Sequence, residues 1–555
     1  MSQACINCHQ PFEIFPEDSH FYEKVSPVVH GQKLLIPSPT HCPTCRMQRR
    51  LAFRNMWHLY NRKCDLSGKA IISMYAPDSG YTVYENQEWW SDKWDALSYG
   101  REIDWNKSII MQIHELIKVV PKFATQNSTS ENCNYSNMVS QSKNCYLAFG
   151  CVESEDCFYG HIIGKCKQSM DIMYTYGSER CYECVDCRDS YNLKFSKDCD
   201  NCSDSSFLEN CKSCKHCFGC FGLRHKEYHF FNQPCSQEQY EHKLAEFRVI
   251  STEKKKVIQS QLAELRKQTP VLYMHCIGNE DCSVDYIYYS KNVHDSYDVT
   301  HAEDCRYCTT TKGKDCYDIT YARVENELGY EDLFVQGYNI LFSRDCVVNN
   351  QHLIYCGNCF SCKNCFACVG LRSKEYCILN RQYSKEEYES LLPKLVTLMQ
   401  QHNEWGEFFP MTLSLFAYNE SAANEYFPLT KEQAQAQGLR WKDNNEINQY
   451  TGPKVQPPDD ITQVSESILK EILTCETCQK NYRIVAQEFA FYQEQNISIP
   501  KECFFCRNKR RLLSRNPRKL FHRNCTKCNT ALQTTYAPER PEKILCENCY
   551  LKETY

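Results

Sequence analysis

Cys199-Asp-Asn-Cys202-Ser-Asp-Ser205-Ser-Phe-Leu208-Glu-Asn-Cys211-Lys-Ser-Cys214-Lys-His-Cys217-Phe-Gly-Cys220 is the stretch on which the fold turns. Every third residue is Cys, Ser or Leu, and the charges and rings lie in the other two phases. The same phase runs outward to Cys133 and to Leu223, thirty-one positions without a charged, aromatic or amide side chain. All fourteen cysteines between Cys133 and Cys220 fall in it. Chance would produce that on the order of once in a million sequences. Every third residue therefore faces a space so narrow that only small side chains fit. An α-helix would drift off this phase within a few turns, and a plain strand has period two. A ribbon of short strands joined by corners keeps it.

The pattern is similar to that of the insect antifreeze β-helix, whose twelve-residue coil turns Cys, Ser and Ala inward; the likeness implies a coil and no ice binding. Twelve suits the columns Ser142/Ser154/Cys166/Ser178/Ser190/Cys202 and Cys145/Cys157/Ser169/Cys181. Eighteen is the rival, because Cys166, Cys184, Cys202 and Cys220 step by that amount. Reduced cysteine would serve as a small hydrophobe, and inward serines would bond to strand carbonyls. A metal or thiol redox store is the alternative, with Cys211–Cys220 and Cys356–Cys368 the densest runs. The rings after inward cysteines (Tyr146, Phe158, Tyr182, Phe218, Phe366) would form outward ladders.

The block is duplicated. Cys217-Phe-Gly-Cys220-Phe-Gly-Leu-Arg-His-Lys-Glu-Tyr228 matches Cys365-Phe-Ala-Cys368-Val-Gly-Leu-Arg-Ser-Lys-Glu-Tyr376, and each copy runs on to Ser-x-Glu-x-Tyr, at Ser236 and Ser384. Such a start predicts capped helices over 237–267 and 385–402. In the second copy the phase slips at Cys316 and is interrupted around Glu325–Tyr338.

At the termini cysteine comes in CxxC pairs: Cys5/Cys8, Cys42/Cys45, Cys475/Cys478, Cys503/Cys506, Cys525/Cys528 and Cys546/Cys549. A tight turn brings residues i and i+3 onto one metal, and two such turns close a tetrahedral, structural zinc site. Cys42–Pro77 aligns with Cys503–Pro538 at a constant offset without a gap. The second site has decayed at the N-terminus, where Cys64 survives but Ser67, Glu85 and Glu88 replace the other three cysteines. A whole site lost beside a whole site kept predicts sequential pairing and three Zn2+ sites: 5/8/42/45, 475/478/503/506 and 525/528/546/549.

The chain has 555 residues, a net charge of −5, and 40 Cys and 37 Tyr inflating its 42% hydrophobic content. An ordinary aliphatic core is thin, and no overall field marks a nucleic-acid binder. Met1-Ser-Gln-Ala-Cys5 is not a basic segment leading into an apolar one, and no apolar run of membrane-spanning length exists. The expectation is a cytoplasmic protein with thiols rather than disulfides and no membrane partner. Residues 46–63 and 507–527 carry bases and no acid. Arg49, Arg50, Arg510 and Arg511 are the candidates for RNA or DNA contact. The other reading is that these arginines pack the ribbon and hold acidic neighbours. Trp89, Trp90, Trp94 and Trp105 precede an apolar stripe from Ile109 to Val120, expected to be a helix capping the first block. An aromatic ligand platform is the alternative there. No P-loop, GxGxxG, HExxH or GxSxG motif is present, so no enzyme is expected.

Cys42-Pro-Thr-Cys45-Arg-Met-Gln-Arg-Arg50, Phe53-Arg-Asn55, Trp90-Ser-Asp-Lys-Trp94, Phe427-Pro-Leu-Thr430 and Ile499-Pro500 resemble an uncharacterised group of cysteine-rich zinc-ribbon proteins from small-genome bacteria. The resemblance implies zinc binding and brings no activity. The expected fold is mainly β with α: two tandem β-solenoid blocks with capping helices between zinc-ribbon modules. The expected boundaries are a ribbon module at 1–88, a cap at 89–126, a solenoid at 127–235 and a helix at 236–270. A second solenoid at 271–383, a helix at 384–402, a linker at 403–470 and a double ribbon at 471–555 complete the chain. The expected function is a non-enzymatic scaffold binding RNA or DNA through the ribbons. A protein–protein adaptor and a metal or thiol redox store are the alternatives.

Overall fold

From Ser128 to Phe230 the backbone repeats one three-residue step: a residue in a parallel bridge, a residue with positive φ, and a residue turned inward. The computed structural model describes residues 1–322, 325–443 and 455–554. Bridges run from Ser128 to Ser140, from Glu131 to Lys143, from Asn134 to Tyr146 and from Asn137 to Phe149, so the chain returns to the same ladder every twelve residues. Four parallel ladders thus close around an interior of four inward columns. The cysteines of that interior, among them Cys145, Cys166, Cys184 and Cys202, are buried in a single core cluster. Twelve, not eighteen, is the step.

The left-handed corner explains the composition of this segment. Positive φ penalises most L-residues but least Gly, Asn and Asp. Asn132, Asn144, Asp156, Asp186, Asn192, Asn201 and Gly177 all stand there. The interior is bonded along its length. Ser142 Oγ donates to the Ser140 carbonyl at 2.8 Å and accepts the Ser154 N–H at 3.1 Å. Cysteine fills the same place: Cys187 Sγ lies 3.5 Å from the Val185 carbonyl and 3.6 Å from that of Ser196. Outside, Phe195 stacks on Phe207 at 4.7 Å and Phe218 on Phe230 at 5.0 Å, and Phe207 meets Phe218 edge-on at 5.5 Å.

A second set of parallel strands runs from Cys276 to Ile378, and here steps of eleven and thirteen interrupt the twelve. Glu303 pairs with Lys314 and Tyr317 with Tyr330. Those two departures are the phase slip at Cys316 and the interruption after it.

The chain divides into two compact units that cross its linear order. One comprises Met1–Thr125 with Met274–Lys442, and the other Gln126–Tyr273 with Asp443–Tyr555. The N-terminal ribbon therefore belongs with the second strand set, and the C-terminal ribbons with the first. The aromatic cap goes with its ribbon: Trp89 lies against Phe360 at 5.5 Å, and Arg372 donates to the carbonyls of Trp89, Ser91 and Trp94. It covers the second set, not the first as the order of modules suggested.

Two further expectations need correction. The helix expected over 237–267 is two helices, Gln237–Ala245 and Thr252–Gln268, each capped by a serine. Between them β-branched Ile250 bridges to Ile497, and Ser251 restarts the helix. Residues 403–442 are no spacer: Trp405, Phe408, Phe409, Leu415, Phe416 and Tyr418 are buried. Residues 444–454 of the expected linker lie outside the described residues. The helix Lys385–Gln401 carries the expected capping box. Among the described residues no helix is long and apolar enough to cross a membrane.

Candidate metal centres and their arginine helices

Each ribbon builds its first pair on a hairpin and its second at a helix start. Cys5 and Cys8 lie between the strands Ser2–Ala4 and Pro11–Glu13, while Cys42 caps the helix Pro43–Leu51 and Cys45 sits in its first turn. Cys475 and Cys478 come after Leu473–Thr474, and Cys503 caps Phe504–Ser514. The last pair set uses the hairpin Phe521–Asn524/Ala531–Thr534 and the helix Glu547–Thr554. In each of the three quartets, the sequential ones, the sulfurs lie within 4.8 Å of one another. A tetrahedral metal with bonds of about 2.3 Å needs sulfur–sulfur edges of about 3.8 Å. Cys8–Cys42, Cys478–Cys503 and Cys528–Cys546 stand at 3.7, 3.7 and 3.6 Å. The donor sets fit a soft, four-coordinate ion with no open position.

Each quartet holds a thiol drawn toward thiolate, while Cys8, Cys45, Cys503, Cys506 and Cys549 are pushed up. Burial raises the Cys475 thiol, but the N–H groups of Cys503, Cys478 and Thr477 outweigh it and bring it to about 7. Cys525 falls to about 6 in the same way, burial opposed by the N–H groups of Cys528, Cys546 and Lys527. Cys42 falls to about 5 through the Cys45 thiol as donor, against burial. The lost fourth site keeps this cage, since Ser67 and Glu85 still point N–H groups at Cys64 Sγ. Most shifted coil thiols go the other way, the exceptions being Cys214, lowered by the thiols of Cys202, Cys211 and Cys217, and Cys368, where burial is outweighed by the thiols of Cys356 and Cys365. Burial pushes Cys184, Cys187, Cys199, Cys356 and Cys359 well up, so they stay protonated donors to carbonyls. No fourth metal-compatible cluster appears among the described residues.

The arginines after the second CxxC point into the coils. Arg49 and Arg50 both reach Glu331, Arg46 and Arg50 reach Asp318, and Arg49 also holds Glu407. In the other unit Arg507 and Arg511 hold Asp171, Arg510 and Arg511 hold Glu183, and Arg515 holds Asp186. Asp171, Glu183, Asp186, Asp318 and Glu331 are all positive-φ corners. The two sets are copies. Arg507 lies over Tyr159 as Arg46 does over Tyr307, and Arg515 over Tyr174 as Arg54 does over Tyr321. Where Asp186 faces Arg515, Phe334 faces Arg54 instead.

This placement corrects the nucleic-acid candidates. Arg49, Arg50 and Arg511 are buried, and Arg510, with 43% of its side chain exposed, is paired to Glu183 and Glu502. Their charge is spent on carboxylates of the same unit. The sequence showed the arginines but not their partners, because Asp171 and Glu183 look like any other corner acid until the coil brings them together. No protein-family model matches the chain, and no curated protein shows significant similarity to it.

Proposed function

We propose that the chain is a non-enzymatic, zinc-stabilised scaffold whose two coils are β-solenoids, each clasped by a ribbon, and that it acts by binding a macromolecule. One observation carries this reading. In both units a helix that begins on a metal-ligand cysteine drives three or four arginines onto the carboxylate corners of a coil. Closed four-sulfur sites are structural, and zinc suits such sets in a reducing cytoplasm. Kinship with the cysteine-rich zinc-ribbon proteins of small-genome bacteria belongs to this reading and rests on motifs such as Cys42–Arg50 and Trp90–Trp94. Of the ligands considered, a polypeptide is favoured over RNA or DNA, because the acid-free segments are largely consumed by ion pairs. Elemental analysis of anaerobically purified protein tests it. About three zinc ions per chain and reduced thiols at every other cysteine are expected; iron, or more than about six metals per chain, would instead support a metal store.

A further inference from the structure

The two ribbons are copies, yet their outer faces are treated differently. On the N-terminal copy, residues 408–427 cover the helix Pro43–Leu51 and the segment 52–60 beyond it. Gln48 donates to the Tyr418 hydroxyl at 2.8 Å, Ser414 Oγ to the Ala52 carbonyl at 2.7 Å, and the Ala422 N–H to the Arg54 carbonyl at 2.7 Å. Phe408 meets Phe53 edge-on, and Phe416 stacks on Tyr75. Two carboxylates finish the contact, Glu425 accepting from the Trp57 indole and Glu420 from the Tyr60 hydroxyl. Ala52 and Trp57 are buried as a result.

At the constant offset between the copies, these positions become Lys509, Leu513, Ser514, Arg518 and Phe521. Among the described residues no segment like 408–427 covers Lys509, Leu513 and Ser514, which are exposed, while Arg518 and Phe521 are half-buried. Leu513 is 73% exposed, and Phe505, two helical turns earlier on the same face, is 49% exposed. The charge has changed in one direction. Gln48 is replaced by Lys509 and Trp57, the donor to Glu425, by Arg518, whose guanidinium donates to the Tyr174 hydroxyl at 3.0 Å; exposed Lys519 and His522 adjoin, and 507–527 holds no acid.

We infer that this outer face of Phe504–Ser514 docks an acidic, aromatic-bearing peptide segment of a partner protein, laid down as 408–427 is on the other ribbon. The copy supplies the template: a ring or aliphatic side chain seats over Leu513, and the carboxylates of the segment meet the exposed ammonium groups of Lys509 and Lys519. The inference rests on the scaffold reading and names the chemistry of its partner.

The probe is a fluorescein-labelled peptide of residues 408–427, which carries Glu420 and Glu425 and no base, titrated by anisotropy into the full-length zinc-loaded protein. Saturable binding is expected. It should weaken about tenfold or more in Lys509→Glu/Leu513→Asp protein, and equally with a Glu420→Lys/Glu425→Lys peptide, which leaves the protein untouched. Absence of saturable binding, or binding indifferent to both changes, overturns the inference. So does a single-stranded oligonucleotide that binds wild type, is lost in the double variant and displaces the peptide. With about three zinc ions still bound per chain, such a failure removes the peptide site and leaves the scaffold standing; loss of zinc from wild type would remove both.

Discussion

At the residue scale the coil is a code of three positions, and each has its own tolerance. The inward position accepts thiol or hydroxyl because both reach the carbonyl two residues back. Cys166 sits between Ser154 and Ser178 in its column, and its N–H already bonds to Ser154 Oγ at 3.1 Å. Cys166→Ser is therefore expected to cost about 1 kcal/mol or less in urea unfolding; a loss of several kcal/mol would mean the thiol does something a hydroxyl cannot. The corner position is set by backbone conformation. Asn201 has φ of 51°, so Asn201→Val should destabilise by about 1–2 kcal/mol while Asn201→Gly stays near neutral. Equal effects would contradict the left-handed corner as the reason for Asn and Asp there. The inward phase was legible in the sequence because Cys, Ser and Ala are the side chains that so narrow a space favours. The corner phase was not, since Asn, Asp and Gly also mark ordinary loops. Only the recurrence of positive φ at every third residue separates the two.

At the element scale the question is what holds a ribbon helix to a coil. Arg511 is buried against Asp171 and Glu183, and truncating one partner of such a group leaves uncompensated charge. Arg511→Ala should cost about 3–5 kcal/mol, read as a lower unfolding midpoint; a change under about 1 kcal/mol would mean the pairs contribute little. Acid tests the same contacts. Burial raises the Glu183 carboxyl, but Arg510, Lys255 and Arg511 outweigh it and hold it well below the carboxylate range. Glu407 is held low too, His41, Arg49 and Thr40 outweighing burial. A carboxyl lowered on folding adds stability above its unfolded value and loses it as pH falls through the folded one, so loosening should begin below about pH 4. Glu488 and Asp332, pushed up by burial, act in the opposite sense. Glu183→Gln should flatten the acid limb; an unchanged limb would place the acid sensitivity elsewhere. The metal quartets were readable from CxxC spacing alone. The arginine contacts were half readable: the bases stood out as acid-free runs, but the coil carboxylates they hold lie more than two hundred residues away.

At the scale of the whole chain, the organisation is one that linear reading cannot reach. Modules succeed one another as ribbon, coil, coil and ribbon, yet each compact unit takes a ribbon from one end of the chain and the coil from the other half. The duplications were visible, but nothing in a repeat says which copy packs on which. The corners Tyr159, Asp171 and Glu183 in one coil and Tyr307, Asp318 and Glu331 in the other offer the same contacts to either ribbon, and the copies differ where Asp186 holds Arg515 but Phe334 lies under Arg54. Because the helices that carry the arginines begin at candidate ligand cysteines, bound metal should govern this packing. Native-state hydrogen exchange, with and without a thiol-competent chelator, tests that most directly. Stripping the metal should release protection at residues 42–54 and 503–515 and at the corners they cover, while amides around Cys184–Cys202 keep theirs. Unchanged protection at both arginine helices in metal-free protein would contradict it.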